Sequence, residues 1–463
     1  MDNRRIKKQI DSRATTGFAQ TRRSFLHSAA ATGAGLVFSQ IALGKSIGSR
    51  KPDDINVALL GAGEQGRVLM NVCLKIPGIR FKAVCDIWTA YNQKRVSRIL
   101  KAYKHEHNTY VDYKEMLDKE KGIDAVIIAT PDFWHADHTV DCLKAGLHVY
   151  CEKEMSNTLE GARRIVQAAS QTGKLLQIGH QRRSNPRYIF CYEKLLKEAK
   201  LLGQITAVNG QWNRAVAPLR IVPKRTEIDT KTLTRYGYKS MQQFRNWRWY
   251  KGLGGGPIVD LGSHQIDVYN WFLQAHPKSV MASGRTNYYD KKTHEWYDTV
   301  MAVYEYETAQ GPVTAFYQTL CTNSSNGYFE SFMGTEGTLV ITEYPPSRCS
   351  VYREKWVLET KWDKWVKKGS LKKAEGLDQP ESEDAVGDIR PPSPKPPKYD
   401  MLVTMDKPFH QPHLENFFDA IRGKAKLNCP AEIGYETAVT VLKVNEAAEA
   451  ARKLNFKPAE FKL

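Results

Sequence analysis

Gly61-Ala-Gly63-Glu64-Gln65-Gly66 lies between an apolar run, Ile55-Asn-Val-Ala-Leu-Leu60, and a stretch of helical spacing that begins at Arg67. A strand feeding a glycine turn and then a helix constrains the fold more than any other feature of the chain. Gly61 permits the tight turn, Gly63 leaves the backbone bare toward a pyrophosphate, and Gly66 lets helix and strand pack closely. The phosphates then meet unpaired N–H groups at the helix N-terminus. A second apolar run, Phe81-Lys-Ala-Val-Cys85, ends at Asp86, twenty positions after Gly66. A carboxylate there accepts hydrogen bonds from an adenosine ribose 2′-OH and repels a 2′-phosphate. The expectation is a bound dinucleotide, NAD in preference to NADP.

From residue 54 to about 179 short apolar strands alternate with helical stretches. Strands read at 55–60, 81–85, 123–129, 147–151 and 175–178, a pattern that predicts a parallel sheet buried on both faces. Beyond it, longer alternating runs at 204–213, 279–288, 298–308, 312–320 and 338–342 predict a large, mostly antiparallel open sheet. The expected class is therefore α/β: a Rossmann domain over 54–179 and a C-terminal α/β domain over 180–463. The run from 344 to 398 is rich in Lys, Asp, Glu and Pro. Such a composition buries little apolar surface and predicts an exposed excursion. Amphipathic helices are expected at 410–422 and 431–453.

Ahead of the first strand, Thr21-Arg22-Arg23-Ser24-Phe25-Leu26 follows a basic region and precedes a weakly apolar segment, Ser28 to Leu43. That segment is too short and too polar to anchor in a bilayer. The pattern predicts a twin-arginine export signal over 1–44, with the translocase as a transient partner and a periplasmic destination. Nine Lys or Arg in residues 1–50 face only Asp2 and Asp11, so +7 of the +18 net charge lies there. The remainder accompanies no nucleic-acid motif, and no nucleic-acid partner is expected. Eight scattered cysteines show no Cys-x-x-Cys and no ligand spacing, so neither a metal nor a disulfide framework is expected.

Lys153 follows the fourth apolar strand, between Glu152 and Glu154. Ligands of an open α/β sheet lie beyond the carboxyl ends of its strands, so Lys153 is expected to face the reactive end of the cofactor as an acid/base or a hydrogen-bond donor. Further on, Gly254-Gly-Gly-Pro257 announces a helix. Asp260, His264 and Asp267 then fall at i, i+4 and i+7 on one face of it. An imidazole suits the abstraction of a hydroxyl proton at neutral pH. Trp212-Asn-Arg214 and Arg245-Asn-Trp247-Arg-Trp249-Tyr250 interleave aromatic and polar groups, as a sugar platform does.

Together with Thr130-Pro131-Asp-Phe-Trp-His135, Ala145-Gly146-Leu-His-Val149, Gly179-His-Gln-Arg-Arg183-Ser-Asn-Pro186 and His413-Leu-Glu-Asn-Phe-Phe-Asp-Ala-Ile-Arg422, these motifs resemble the Gfo/Idh/MocA family of sugar and cyclitol dehydrogenases. The resemblance implies an NAD-dependent oxidoreductase acting on a secondary hydroxyl of a sugar, with Lys153, Asp260 and His264 as its catalytic residues. It also implies a homo-oligomer assembled through the open sheet. Cofactor contacts are expected from Gly61, Gly63, Glu64, Gln65, Gly66, Asp86, Thr130, Pro131, His135, Glu152 and Lys153, and substrate contacts from Arg183, Trp212, Arg214, Trp247 and Asp267. The family usually reads Glu-Lys-Pro where this chain has Glu154, and a carboxylate there is expected to stabilise the Lys153 ammonium.

An exported nicotinamide enzyme has no free cofactor pool, so the cofactor is expected to be bound before export and retained. Two chemistries then stay open: paired oxidation and reduction of two substrates, or a redox-assisted glycoside hydrolysis in which one glycoside is oxidised, undergoes elimination and hydration, and is reduced again. A catalytically silent sugar-binding protein is a third class, disfavoured by the intact Lys153, Asp260 and His264.

Overall fold

The computed structural model describes residues 53–345, 348–374 and 396–463. The expected export signal over 1–44 and residues 375–395 of the charge-rich stretch lie outside the described residues.

The first half runs β1 (Ile55–Leu60), α1 (Glu64–Cys73), β2 (Ile79–Cys85), α2 (Lys94–Ala102), β3 (Asn108–Tyr110), α3 (Tyr113–Lys119), β4 (Ala125–Ile128), α4 (Asp132–Lys144), β5 (His148–Cys151), α5 (Leu159–Thr172) and β6 (Leu176–Ile178). The strands form one parallel sheet in the order β3-β2-β1-β4-β5-β6, the doubly wound order that places a ligand crevice where the strand order reverses, between β1 and β4. All four residues of β4 are buried, which is why it reads as a continuous apolar run. β3 escaped the sequence reading because this edge strand is only Asn-Thr-Tyr, without apolar alternation. Side-chain caps fix two helix starts: Asp112 accepts from the Lys114 N–H and Thr158 from the Gly161 N–H.

The second half opens with β7 (Ile205–Asn213), crosses the short helices α6 (Thr230–Arg235) and α7 (Met241–Arg245), and enters α8 (Gly256–Leu273), with Pro257 in its first turn. There follow β8 (Pro277–Arg285), β9 (Thr299–Thr308), β10 (Gly311–Leu320), β11 (Tyr328–Gly334), β12 (Gly337–Ile341), β13 (Ser350–Arg353), α9 (Thr360–Lys367), β14 (Leu371–Lys373), β15 (Lys398–Met401), α10 (Gln411–Ile421), α11 (Ala431–Ala450) and β16 (Leu454–Asn455). The ten strands order as β14-β15-β13-β12-β11-β7-β10-β9-β8-β16. All neighbours are antiparallel except β7 and β10.

Two differences from expectation have physical causes. The stretch 344–398 is not simply an exposed excursion: β13, β14 and β15 extend the sheet, and α9 packs fully buried Trp362 and nearly buried Trp365 beneath a lysine-rich face. Two tryptophans one turn apart outweigh the charge around them. β11 was unread because Glu330 interrupts its apolar pattern, yet Glu330 is fully buried and paired with Arg182. The chain also returns to its first half: Leu414, Phe417 and Phe418 of α10 complete the core around Val57, Leu59 and Leu69.

Candidate active site

One cleft runs from the glycine turn along the carboxyl ends of β1, β4 and β5 to α8. Gly61 has φ +93°, and a Cβ there would stand 2.7 Å from the carbonyl carbon of Ala129, so only glycine closes this turn against the β4 end. A Cβ on Gly66 would strike the Gly61 carbonyl, which brings α1 directly under the turn. Above Gly63 a Cβ would find nothing nearer than Asn92 at 3.8 Å. No side chain caps the N-terminus of α1, which leaves its N–H groups to a ligand.

Asp86 lines the same cleft. Its carboxyl accepts from the Ala62 and Trp88 N–H groups, each at 2.7 Å. Burial pushes it up to about 6 against those donors. The residues that follow in the chain are Ile87 and Trp88, neither of which carries a guanidinium for a 2′-phosphate. An open glycine turn, an uncapped helix and a carboxylate at the next strand end together fit an NAD pyrophosphate and ribose. Glu64, Gln65, Thr130, Pro131 and Glu152 line the cleft beside them, with Gln65 Nε2 donating to Glu152 at 3.0 Å.

At the far end Lys153 Nζ reaches Asp260 twice, to Oδ1 at 3.0 Å and to the main-chain oxygen. Arg248 Nε meets Asp260 Oδ2 at 3.1 Å. Burial alone would raise the Asp260 carboxyl, but Arg248, Lys153 and Arg214 outweigh it and hold it well below the usual carboxylate range. One turn along α8, His264 lines the cleft and makes no hydrogen bond to any described residue. Burial, then the charges of Lys153 and Arg182, push its pKa well below 6.5, so the ring is a neutral acceptor. Trp212, Arg214 and Trp247 also line the cleft.

Four expectations need correction. His135 is not a cofactor contact: it is buried, with Nδ1 2.7 Å from the Glu154 carbonyl and Nε2 2.7 Å from the Thr130 carbonyl, and it ties the loops after β4 and β5 together from beneath. Arg183 and Asp267 do not face the cleft but pair with each other at 2.9 Å, and Thr437 of α11 donates to the same carboxylate. Seven residues advance about 10 Å along a helix, which carries Asp267 past the cleft floor. Glu154 does not embrace Lys153. Its side chain turns into the interior, Oε1 accepts from the Met155 N–H at 2.7 Å and Oε2 has no partner among the described residues. Burial pushes this carboxyl up to about 8, so it stays protonated at neutral pH.

The sequence reading missed Gln181, Tyr328, Glu343 and His410, which also line the cleft. Gln181 sits inside a motif already noted, and His410 just ahead of another. Tyr328 opens β11, which the sequence reading did not find, and Glu343 lies two residues past the end of β12. The reading also missed a strap. Residues 214–253 cross from the second half over the cofactor end of the cleft. Trp88 Nε1 donates to the Thr226 carbonyl, Tyr236 to the Val111 carbonyl at 3.2 Å, and Arg220 pairs with Glu64 of the glycine turn at 2.7 Å.

Such a cleft, set between a doubly wound sheet and a second α/β domain, defines a two-domain, dinucleotide-binding oxidoreductase. The description "Oxidoreductase family, NAD-binding Rossmann fold" of the Gfo/Idh/MocA proteins matches residues 55–180, and that of their C-terminal α/β domain matches residues 227–456. The chain belongs to the Gfo/Idh/MocA oxidoreductase family, and its first domain is an NAD-binding Rossmann domain. It is 29% identical over 242 residues to scyllo-inositol 2-dehydrogenase (NADP+) of Bacillus subtilis, covering 51% of this chain and 56% of that protein. Over 173 residues it is 31% identical to the alpha-N-acetylgalactosaminidase of Shewanella oneidensis, covering 33% of this chain and 38% of that protein. The chain thus spans about half the length of the first relative and less of the second. Among solved structures it resembles levoglucosan dehydrogenase in complex with NADH and levoglucosan (TM-score 0.64, 17% identity, 87% of this chain and 99% of that one). It also resembles the aldose-aldose oxidoreductase of Caulobacter crescentus (TM-score 0.62, 17% identity, 87% and 100%). At that identity the likeness is one of fold.

Proposed function

We propose that this protein is an NAD-dependent sugar oxidoreductase that oxidises a secondary hydroxyl in the cleft between Lys153 and His264. The observation that carries the reading is the convergence, on one wall of the NAD-binding cleft, of an anchored ammonium and a neutral imidazole without a hydrogen-bond partner among the described residues. Bound there, NAD supplies a two-electron hydride acceptor. Lys153, held by Asp260, donates a hydrogen bond to the substrate oxygen and stabilises the charge that grows on it. His264 takes the hydroxyl proton as the carbinol carbon gives up its hydride and the C–O bond becomes a carbonyl. Gly61, Gly63, Glu64, Gln65 and Gly66 would hold the pyrophosphate, Asp86 the adenosine ribose, and Thr130, Pro131 and Glu152 would lie at the nicotinamide end. Trp212 and Trp247 form apolar walls for the sugar ring.

The strap over residues 214–253 supports a retained cofactor, because the Arg220–Glu64 pair and the aromatic groups around Trp88 close over the cleft. Retention favours a second reading too: the same residues perform a net glycoside hydrolysis by transient oxidation, elimination, hydration and re-reduction. The similarity to a protein named alpha-N-acetylgalactosaminidase favours it further. Incubating the protein as isolated with a panel of sugars and glycosides separates the two. NADH absorbance that persists until a carbonyl acceptor is added supports the oxidoreductase. Aglycone release with no lasting absorbance supports the hydrolase, and neither signal contradicts both.

Export by the twin-arginine route to the periplasm follows from Arg22-Arg23 in its context, and it accords with loading NAD before translocation. We also propose a homo-oligomer. The sheet face opposite α8 and α11 exposes Met281 (52%) and Met301 (43%) near Val303 and Phe316, which pair with each other across β9 and β10. A second copy of this face would cover that apolar band, and sedimentation of wild type and Met281→Glu tests it.

A further inference from the structure

Lys153, Arg248 and Arg214 share the catalytic end of the cleft with the carboxyls of Asp260 and Asp132. Asp260 is neutralised by Lys153 and by Arg248, yet a third cation, Arg214, lines the same wall close enough to act on that carboxyl. The Arg214 guanidinium forms no ion pair with any described residue. It lies 5.1 Å over the Trp212 ring, which holds it by cation–π attraction, and the residue is exposed, with its donors open to solvent. Trp212 stacks in turn on Tyr328, with ring centroids 4.5 Å apart.

Acceptors lie on the same wall. Gln181 is buried; its amide nitrogen donates to Glu343 Oε1 at 3.2 Å, and its Oε1 has no partner among the described residues. Glu343 meets Arg182 with its other oxygen at 3.1 Å and shares that guanidinium with Glu330. A neutral sugar hydroxyl accepts a single hydrogen bond from Arg214 and leaves its charge unpaired. A planar carboxylate or a sulfate ester is what a guanidinium fork fits.

We propose that the substrate is an acidic sugar whose anionic substituent is bound by Arg214, its ring beside the Trp212–Tyr328 pair and its hydroxyls within reach of Gln181 and Glu343. The inference rests on the sugar-oxidoreductase reading and narrows its substrate class. Specificity is then set by a charge contact on the cleft wall, beside the Lys153–Asp260 pair and His264.

Calorimetric titration of the protein as purified, using matched methyl glycosides of gluco, galacto and manno configuration, tests it. Each pair compares a neutral sugar with its uronate, and a third arm carries a 6-sulfate. The expected result is binding of an acidic member at least about tenfold tighter than its neutral partner, with the better of uronate and sulfate identifying the anion. Arg214→Gln is expected to erase that preference, lowering the affinity of the acidic member by more than that of the neutral one, and Arg214→Lys to keep part of it. Equal affinity for acidic and neutral members, or an unchanged preference in Arg214→Gln, overturns the proposal and leaves the oxidoreductase reading standing. Binding of no sugar by folded, NAD-loaded protein overturns both.

Discussion

Lys153 and Asp260 join the two halves of the molecule: an ammonium just past the end of β5 meets a carboxylate in the second turn of α8 at 3.0 Å. The pair is nearly enclosed, with side chains 11% and 18% exposed. It therefore fixes the Lys153 donor relative to His264, one turn further along the same helix. Lys153→Gln is expected to lower kcat by roughly 10²- to 10⁴-fold while NAD content is kept. Asp260→Ala is expected in addition to lower the melting temperature, because Arg248 and Lys153 lose their shared counter-charge.

His264 should act as a base without titrating in the usual histidine range. Burial, Lys153 and Arg182 lower its pKa well below 6.5, so the neutral ring persists through mildly acidic pH. The kcat/KM profile is expected to show no histidine limb near pH 6.5, and His264→Ala to lose roughly 10²- to 10⁴-fold at every pH. A limb at 6.5 that vanishes in His264→Ala would contradict the electrostatic account.

Glu154 offers a stability test with a definite sign. Its folded pKa is raised to about 8 from an ordinary 4.5, so between those values the folded state holds a proton that the unfolded state releases. That stabilisation is full below about 4.5 and is lost as pH rises through about 8. Glu154→Gln cannot titrate, so its stability relative to wild type should climb across this window and level off above it. A total on the order of a few kcal/mol is expected, read from urea midpoints at about pH 5, 7 and 9.

Arg220→Ala should loosen the strap without unfolding anything. The Arg220–Glu64 pair is half exposed, so its contribution to stability is about 0–1 kcal/mol and the melting temperature should barely move. Release of NAD, followed by loss of bound nucleotide on dilution, is expected to quicken about fivefold. Gly66→Ala is expected to do worse, because its Cβ has no room beneath the Gly61 carbonyl, and the protein should purify without nucleotide.

Much of this was legible in the chain because local chemistry and global fold agree. The glycine turn with Asp86 located the NAD-binding end, since each glycine answers a local steric demand that shows in spacing alone. The i, i+4 relation of Asp260 and His264 carried over to the cleft, but the i+7 residue did not. Periodicity reports the side of a helix and not where along its length a neighbour stops. His135, Arg183 and Asp267 look functional in sequence because they are polar and embedded in motifs. In the fold their partners come from Thr130, Glu154 and Thr437, and no local pattern encodes that. Glu330 and Glu343 were illegible for the same reason, because their burial is bearable only with Arg182 opposite. The strap escaped because it is mostly loop, defined by what it covers.

The central claim is that a retained NAD meets a sugar hydroxyl between Lys153 and His264. The most direct measurement is on protein purified without added cofactor: its nucleotide content after denaturation, and the NADH absorbance of the intact protein as acidic and neutral sugars are added. The account predicts about one NAD(H) per chain, and an absorbance change driven by sugar in wild type and absent in Lys153→Gln. Folded protein that carries no nucleotide, binds added NAD weakly and gives no sugar-dependent signal would contradict it.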